Sequence, residues 1–425
     1  YGDKPPRIIA VGDDDQSIFE FRGSSSEYFR KFATEFPNTK EFYLTNNYRS
    51  AAKIVRGNEE ILSYLDYRVK SGKRQTAINL DRGELDFYEE HDVSRGAFAA
   101  AQILLDKKKD VKESACILSP KNAESFLAAA KLEELGEDCR IIKGLDKEKC
   151  SVESIREIIG FKQIVETDQE IVKRPWTIEQ FKQMAERYKE QHREESSFKF
   201  LDSVVSDFVD CEDEVTLGGF VQYLNDISYA DLNDKKQQIN VGTMHSSKGL
   251  EWDHVVLNLG NWKPETQEQL RLLYVAATRA KKTLTVLGVE TNLPKSWIKN
   301  FAKKGRLREC SIPKKIHIET GLGDIALGQY LKKNENSDIY VERLQKSLER
   351  EPLGLSLSID SHVANGNYCI RQGNLYWAWF AKDFTSGLVK SLAKNVLIPQ
   401  RAILSQVVRW TSEEGQETWV PLFRL

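Results

Sequence analysis

What most limits the folds open to this chain is an alternation of strand-length apolar runs with longer stretches of helical spacing. From Glu84 onward, apolar cores at residues 85–88, 93–105, 115–118, 123–135 and 139–142 follow in the order strand, helix, strand, helix, strand. Parallel neighbours need crossovers long enough to hold a helix, so this order predicts a parallel sheet with covering helices. From about Lys143 to Asp234 the pattern turns helical throughout. Residues 155–165, 178–188, 198–208 and 217–227 carry the spacing, in a charge-rich segment with few β-branched runs. Strand-like runs return at 238–242, 254–259 and 283–288. The expected fold class is therefore α/β: a parallel-sheet domain with an all-helical insertion.

The flanks are read in the same way. Arg7-Ile-Ile-Ala-Val11 ends in Gly12 and three aspartates, the pattern of a buried strand feeding a loop. Residues 24–36 form an amphipathic helix with Ser24 to Ser26 as N-cap candidates and Pro37 as its stop; residues 41–44 form a second strand, and a helix runs from Ser50 to about Leu65. Residues 291–315 are a basic linker, with Lys295, Lys299, Lys303 and Lys304 among its cations. Beyond about Glu319 a tail with Trp377, Trp379, Trp410 and Trp419 has strand-like runs at 374–381, 403–410 and 419–423. It is expected to be a small β-barrel with the tryptophans in its core.

Composition sets bounds on function. The chain has 425 residues, 40% of them apolar, enough for two to four ordinary cores. A net charge of −2 excludes a uniformly basic coat, so any nucleic acid must be held by local patches and stacking. The six cysteines show no C-x-x-C spacing, which fits a reducing cytoplasm and offers no zinc site. No apolar run approaches the ~20 residues of a membrane span.

Four short blocks carry the chemistry. In Val11-Gly-Asp-Asp-Asp-Gln-Ser-Ile-Phe-Glu-Phe-Arg-Gly23, Gly12 allows a tight turn and Gln16 projects from the sheet's carboxyl edge. A neutral amide both donates and accepts, which suits a sensor of a terminal phosphate. Phe19 and Phe21 alternate along an exposed loop, where a flat ring stacks a base at roughly 1–3 kcal/mol. Asp13, Asp14 and Asp15 offer a metal alternative, but adjacent carboxylates repel and would need ligands from elsewhere, so no metal site is assigned. In Leu44-Thr-Asn-Asn-Tyr-Arg-Ser50, the Tyr48 ring stands beside the Arg49 guanidinium, a pairing of base cover with a phosphate fork. In Thr243-Met-His-Ser-Ser-Lys-Gly-Leu-Glu-Trp252, small side chains let backbone amides approach a phosphate. There His245 can hydrogen-bond to DNA or across a cleft, and Glu251 can accept from a ribose hydroxyl. In Glu268-Gln-Leu-Arg-Leu-Leu-Tyr-Val-Ala-Ala-Thr-Arg-Ala280, Leu270, Leu273, Tyr274 and Ala277 share one helix face, with Arg279 near the helix end.

Together and in this order, the blocks resemble the later motifs of UvrD/Rep/PcrA-like superfamily 1 DNA helicases; the resemblance covers roughly residues 7–290. It implies a motor that uses ATP to move 3′ to 5′ on single-stranded DNA and to separate duplex DNA. By that resemblance Gln16, Arg49 and Arg279 are catalytic, Arg279 being the arginine finger. Tyr48, Arg49, Glu251 and Arg279 bind the nucleotide, and Phe19, Phe21, Arg22 and His245 bind DNA. The family often carries tyrosine and tryptophan where this chain has Phe19 and Phe21. No G-x-x-x-x-G-K-[ST] loop and no Asp-Glu box occur, and the chain opens at Tyr1, so a C-terminal portion of a helicase is expected. Mg2+ would then be held mainly by residues elsewhere, and the portion alone would be inactive. The implied layout assigns 1–44 to the end of a first RecA-like domain, 45–142 with 235–290 to a second, and 143–234 to its helical insertion. Residues 291–318 follow as the basic linker and 319–425 as a β-rich C-terminal domain, weakly like RecQ-type chains with a UvrD-like module. A repair-protein partner is a further expectation. Two rivals stay open: a truncated DNA- or partner-binding module without catalysis, and a helicase–nuclease, for which the tail shows no acidic string.

Overall fold

Near-continuous apolar strands build the larger sheet of this computed structural model, which describes residues 8–20, 25, 27–70, 72–79, 81–142, 152–167, 175–192, 198–211, 215–227, 239–305, 307, 310–331, 335–362, 367–389, 392 and 399–425. The chain divides into two units, Tyr1–Gly144 with Gln237–Lys314, and Leu145–Lys236 with Lys315–Leu425.

In the first unit, a short parallel pair, β1 (Asn46–Asn47) and β2 (Thr76–Ala77), precedes the main sheet. That sheet comprises β3 (Glu84–Glu89), β4 (Ala115–Ser119), β5 (Arg140–Ile142), β6 (Ile239–Thr243), β7 (Trp252–Gly260), β8 (Ala280–Gly288) and β9 (Ala302–Lys303). Its order is β5-β6-β4-β7-β8-β3-β9, and its pairs are parallel. Every residue of β4 is buried, as a parallel strand covered on both faces requires. The described helices before the insertion are α1 (Glu27–Glu35), α2 (Ala52–Leu62), α3 (Val93–Lys107) and α4 (Asn122–Glu134). Asp92 caps α3 by accepting from the Ser94 and Arg95 amides. The Gln267–Ala277 helix starts with a reciprocal capping box between Thr266 and Gln269.

Helix α3 lies close to β7 because Gly96 has no side chain. A Cβ there would sit 2.2 Å from Asn258 Oδ1. Asn258 is fully buried and anchored by its Nδ2 donating to the Val93 carbonyl at 2.7 Å, so it has little room to retreat.

In the second unit, helices α5 (Arg156–Thr167), α6 (Ile178–Gln191), α7 (Lys199–Cys211) and α8 (Leu217–Asp226) surround an aromatic hub. The Phe181 ring lies 5.2 to 5.7 Å from those of Phe161, Trp176, Phe208 and Phe220. The tail forms an antiparallel sheet from β10 (Ser356–His362), β11 (Asn367–Gln372), β12 (Leu375–Trp379), β13 (Arg401–Thr411) and β14 (Glu417–Arg424), in the order β12-β11-β10-β13-β14. Helix α5 is tied to this tail. Ile155 bridges Val408, and Arg156 donates to the Leu348 and Glu351 carbonyls at the end of the Glu335–Arg350 helix.

Several local expectations need correction. Residues 8–11 and 41–44 form no strand; Ile9 and Val11 are about nine-tenths exposed, as are Phe42 and Leu44. An apolar run becomes a strand only beside a partner for its amides, and none of the described strands pairs with either segment. Gly12 is not in the left-handed region; a Cβ there would meet the Phe29 ring at 3.0 Å, so the glycine makes room for packing. The stretch read as a basic linker is partly core, since Leu293, Trp297, Ile298 and Phe301 are buried and β9 extends the main sheet. Its lysines concealed an apolar set at helical spacing. The barrel expected of the tail is a five-stranded ladder whose two edges are spanned by one strap: Thr320 N donates to Phe423 O of β14, and Ala326 N to Trp379 O of β12. Trp377 is fully buried, whereas Trp379, Trp410 and Trp419 are half-buried.

The packing at Gly96 gives a direct prediction. Helix propensity alone favours alanine by about 1 kcal/mol, so a Gly96→Ala variant that melts lower isolates the clash with Asn258. The expected net loss is about 1–2 kcal/mol by denaturant unfolding; an unchanged or raised midpoint would refute the close approach.

Candidate functional site

The three aspartates of the first block fold into a turn in which each carboxylate meets a cation or an amide, while Asp14 Oδ1 is buried without a hydrogen-bond partner. Asp14–Gln16 is a single 3-10 turn in which Asp14 and Asp15 are buried. Arg68 grips Asp15 in a fork, Nε to Oδ1 at 2.8 Å and Nη2 to Oδ2 at 2.7 Å. The Val69 amide donates to Asp14 Oδ2 at 2.7 Å, and Lys70 Nζ pairs with Asp13 Oδ1 at 2.8 Å. Gln16 donates from Nε2 to Asp13 Oδ2 at 2.6 Å. The three carboxylates do lie within 4.8 Å of one another, a spacing a cation could use. Each, however, already faces a fixed cation or amide from residues 68–70, so they fit a structural ion-pair knot and not a magnesium site. Gln16 does not project from a strand's carboxyl end as expected. Lys248 Nζ donates to its carbonyl at 2.9 Å, and Arg279 Nη2 approaches its Oε1 at 3.5 Å.

Arg279 gathers the other blocks. It follows the Gln267–Ala277 helix, just before β8, and is 2% exposed. Its Nε donates to Val275 O at 2.8 Å and its Nη1 to Leu250 O at 3.1 Å. Burial, then the neighbouring Arg49 charge, push its pKa down to about 10, which leaves it charged at neutral pH. Burial and the same Arg279 charge lower the Lys248 pKa. Arg49 pairs with Glu251, whose other oxygen meets Lys281 Nζ at 2.7 Å. Lys281 and Arg49 together hold the Glu251 carboxyl below its usual range. The structure thus brings Gln16, Arg49, Glu251 and Arg279 together, with Lys248 and Lys281 added. Such a cluster of closely set cations, sharing few carboxylates, is suited to a polyanion with several oxygens to offer.

The remaining site residues are dispersed or undescribed. Tyr48 is 71% exposed, its hydroxyl reached by Asn46 Nδ2 at 3.3 Å, so its ring is open to a planar ligand. Phe19 is half-buried, 6.4 Å centroid to centroid from His245, with Lys248 Nζ 5.1 Å above its ring. Phe21 and Arg22 lie outside the described residues.

Sequence reasoning missed Arg68, Lys70 and Lys281. Arg68 and Lys70 stand two apart, a spacing that puts both side chains on one face of an extended chain; three buried-looking aspartates without cations nearby were the other signal. Breaking the Arg68–Asp15 pair leaves a carboxylate that is 1% exposed with Lys70 Nζ, at 3.8 Å, as its remaining ion partner. An Arg68→Met variant should lose roughly 3–5 kcal/mol of stability. Chemical denaturation reads this out, and a loss under about 1 kcal/mol would mean that the knot is not structural.

Residues 147–291 match the UvrD-like helicase C-terminal domain family and residues 2–37 the UvrD/REP helicase N-terminal domain family. The Bacillus subtilis (strain 168) protein named "Putative ATP-dependent DNA helicase YjcD" is 26% identical, over 65% of this chain and 47% of its own. The ATP-dependent DNA helicase UvrD2 of Mycobacterium tuberculosis (strain ATCC 25618 / H37Rv) is 23% identical, over 66% of this chain and 43% of its own. The ATP-dependent DNA helicase PcrA of Bacillus subtilis (strain 168) is 23% identical, over 65% and 50%. The chain thus spans about half the length of the curated relatives it matches. The family matches fall on the first, third and fourth blocks, and over about two thirds of its length the chain is similar to ATP-dependent DNA helicases of the UvrD and PcrA type.

Proposed function

We propose that this chain is part of an ATP-dependent DNA helicase that moves 3′ to 5′ on single-stranded DNA and separates duplex DNA, in repair or recombination. The observation that carries the proposal is the convergence of Arg49, Lys248, Arg279 and Lys281 around Gln16 and Glu251. In this reading Tyr48 covers the adenine of ATP and Glu251 accepts from the ribose. Arg49 and Arg279 grip the terminal phosphate through charge-assisted forks, and Gln16 reports its presence. Bound ATP with Mg2+ supplies the phosphoryl group; this chain supplies orientation and positive charge around it. No described carboxylate cluster suits the magnesium, as the aspartates of the first block are already engaged. Phe19, Phe21, Arg22 and His245 are assigned to DNA contact by the same reading. The domain layout proposed with it keeps 45–142 and 235–290 as a second RecA-like domain. No described helix is long and apolar enough to cross a membrane, and Cys116, Cys139, Cys310 and Cys369 are free thiols, which suits a reducing cytoplasm.

Two outcomes test the reading. The chain by itself has no phosphate loop of the G-x-x-x-x-G-K-[ST] kind, so it should bind single-stranded DNA without hydrolysing ATP. Joined to a segment that supplies such a loop, it should show DNA-stimulated ATP turnover. There, Arg279→Ala should lower kcat by about 10³-fold or more, with a smaller change in KM. Equal fall of kcat/KM through KM alone would assign Arg279 to binding only, and turnover by the chain alone would overturn the proposed division of labour.

A further inference from the structure

Gln75 lies outside all four blocks, between α2 and β2, yet it joins the second block to the fourth. Its place follows from the β1–β2 pairing. Asn47 of β1 stands opposite Ala77 of β2, and Gln75, two residues before Ala77, falls on the same side. Thr76 N donates to Thr45 O at 2.8 Å and Ile78 N to Asn47 O at 2.9 Å. The Gln75 amide itself donates to a carboxylate oxygen of Glu59 on α2. The backbone that carries this half-buried side chain is thus held from two sides.

The direction of each hydrogen bond along the side chain is forced. The Arg49 and Ser50 amides can only donate, and both donate to Asn47 Oδ1 at 3.1 Å. Asn47 must then present Nδ2 at its other end, which donates to Gln75 Oε1 at 2.9 Å. Gln75 in turn presents Nε2, which donates to the Tyr274 hydroxyl at 2.9 Å. Tyr274 is 3% exposed; burial, then the charges of Asp13 and Asp15, raise its pKa, so it stays a neutral phenol. Its backbone carries the frame of Arg279. The Thr278 amide donates to Tyr274 O at 2.9 Å, and Arg279 Nε donates to the carbonyl of the next residue, Val275, at 2.8 Å. Two side-chain amides therefore form a relay from the backbone of Arg49 to the helix that leads into Arg279. Arg49 and Arg279 carry like charge and lie close enough to interact, so their spacing has to come from the scaffold.

We propose that Gln75 is a positioning residue for phosphoryl transfer: its amide sets the spacing of Arg49 from Arg279, so that both close on one terminal phosphate. The proposal rests on the ATP-hydrolysing reading above and deepens it. Gln75 touches no substrate and acts through Asn47 and Tyr274. A leucine in its place would fill similar space and make neither side-chain bond.

The test uses this chain joined to a segment that supplies a G-x-x-x-x-G-K-[ST] loop, with DNA-stimulated ATP turnover as the readout. Gln75→Leu should lower kcat about 10-fold while KM changes by less than about 2-fold. Tyr274→Phe keeps the buried ring, loses only the hydroxyl and should show a similar loss; it carries the test if Gln75→Leu fails to fold. Because both changes cut one relay, the double variant should lose no more than Gln75→Leu alone. A residue that only stabilised the fold would lower the melting midpoint and leave kcat and KM of the folded protein unchanged. Unchanged kcat in both single variants, or losses that multiply in the double variant, would overturn the relay and leave the ATP-hydrolysing reading standing. Absence of turnover in the unmodified joined protein would bring down both.

Discussion

Three successive carbonyls hold the candidate nucleotide site together. Arg279 O accepts from the Trp252 amide at 2.9 Å, Ala280 O from the Ser50 hydroxyl at 2.7 Å, and Lys281 O from the Ala51 amide at 2.8 Å. These bonds tie the second and third blocks to the fourth, although the second lies some two hundred residues away in sequence. Side-chain forks then have a fixed frame from which to reach. Because the bonds are main-chain in origin on the accepting side, the frame depends on the β7–β8 register and tolerates variation in side chains. The register depends in turn on the apolar strands that bury both faces of the sheet.

That frame sets up an electrostatic imbalance. Arg279 is buried at a cost, offset in part by carbonyls that accept from its guanidinium. Arg49 adds like charge, and Lys248 is pushed toward losing its proton by burial and by Arg279. Glu251 compensates Arg49 and Lys281. The acidic turn is different, for its carboxylates are matched by Arg68, Lys70 and an amide within their own neighbourhood. One cluster is closed on itself and structural; the other keeps a surplus of positive charge that a polyanion can settle.

Much of this was legible in the sequence because it follows from period and polarity. The runs at 115–118 and 254–259 are apolar throughout, and only a parallel sheet covered on both faces buries such runs; β4 and β7 lie there. The fourth block's helix was legible from the shared face of Leu273, Tyr274 and Ala277, all buried. The convergence of Gln16, Arg49, Glu251 and Arg279 rested on motif resemblance, since spacing alone cannot say which distant segments meet. The failures share one cause. At 8–11 and 41–44 the pattern showed a short apolar run but not whether a neighbouring strand was there to pair. At 291–303 the lysines dominated the composition while Trp297, Ile298 and Phe301 went into the core. Arg68 and Lys70 escaped notice because an ion pair across fifty residues leaves no local period.

One short path between the two edges of the sheet runs through the third block. Residues 244–251 leave β6 at its carboxyl end, where His245 lies beside Phe19, and reach Glu251 at the amino end of β7, beside the cations. Midway, Lys248 donates to the Gln16 carbonyl and stands over Phe19. Next to it Gly249 takes a φ of +88°, a conformation that a residue with a side chain rarely adopts. A shift of Gln16 toward a terminal phosphate therefore pulls on the same lysine that covers Phe19, whose neighbour in the chain, Glu20, gives its amide to Glu268. Under the proposed function, phosphate state and base contact act on one backbone segment of a few residues, short enough for a displacement of about an ångström to pass without being absorbed by loose packing.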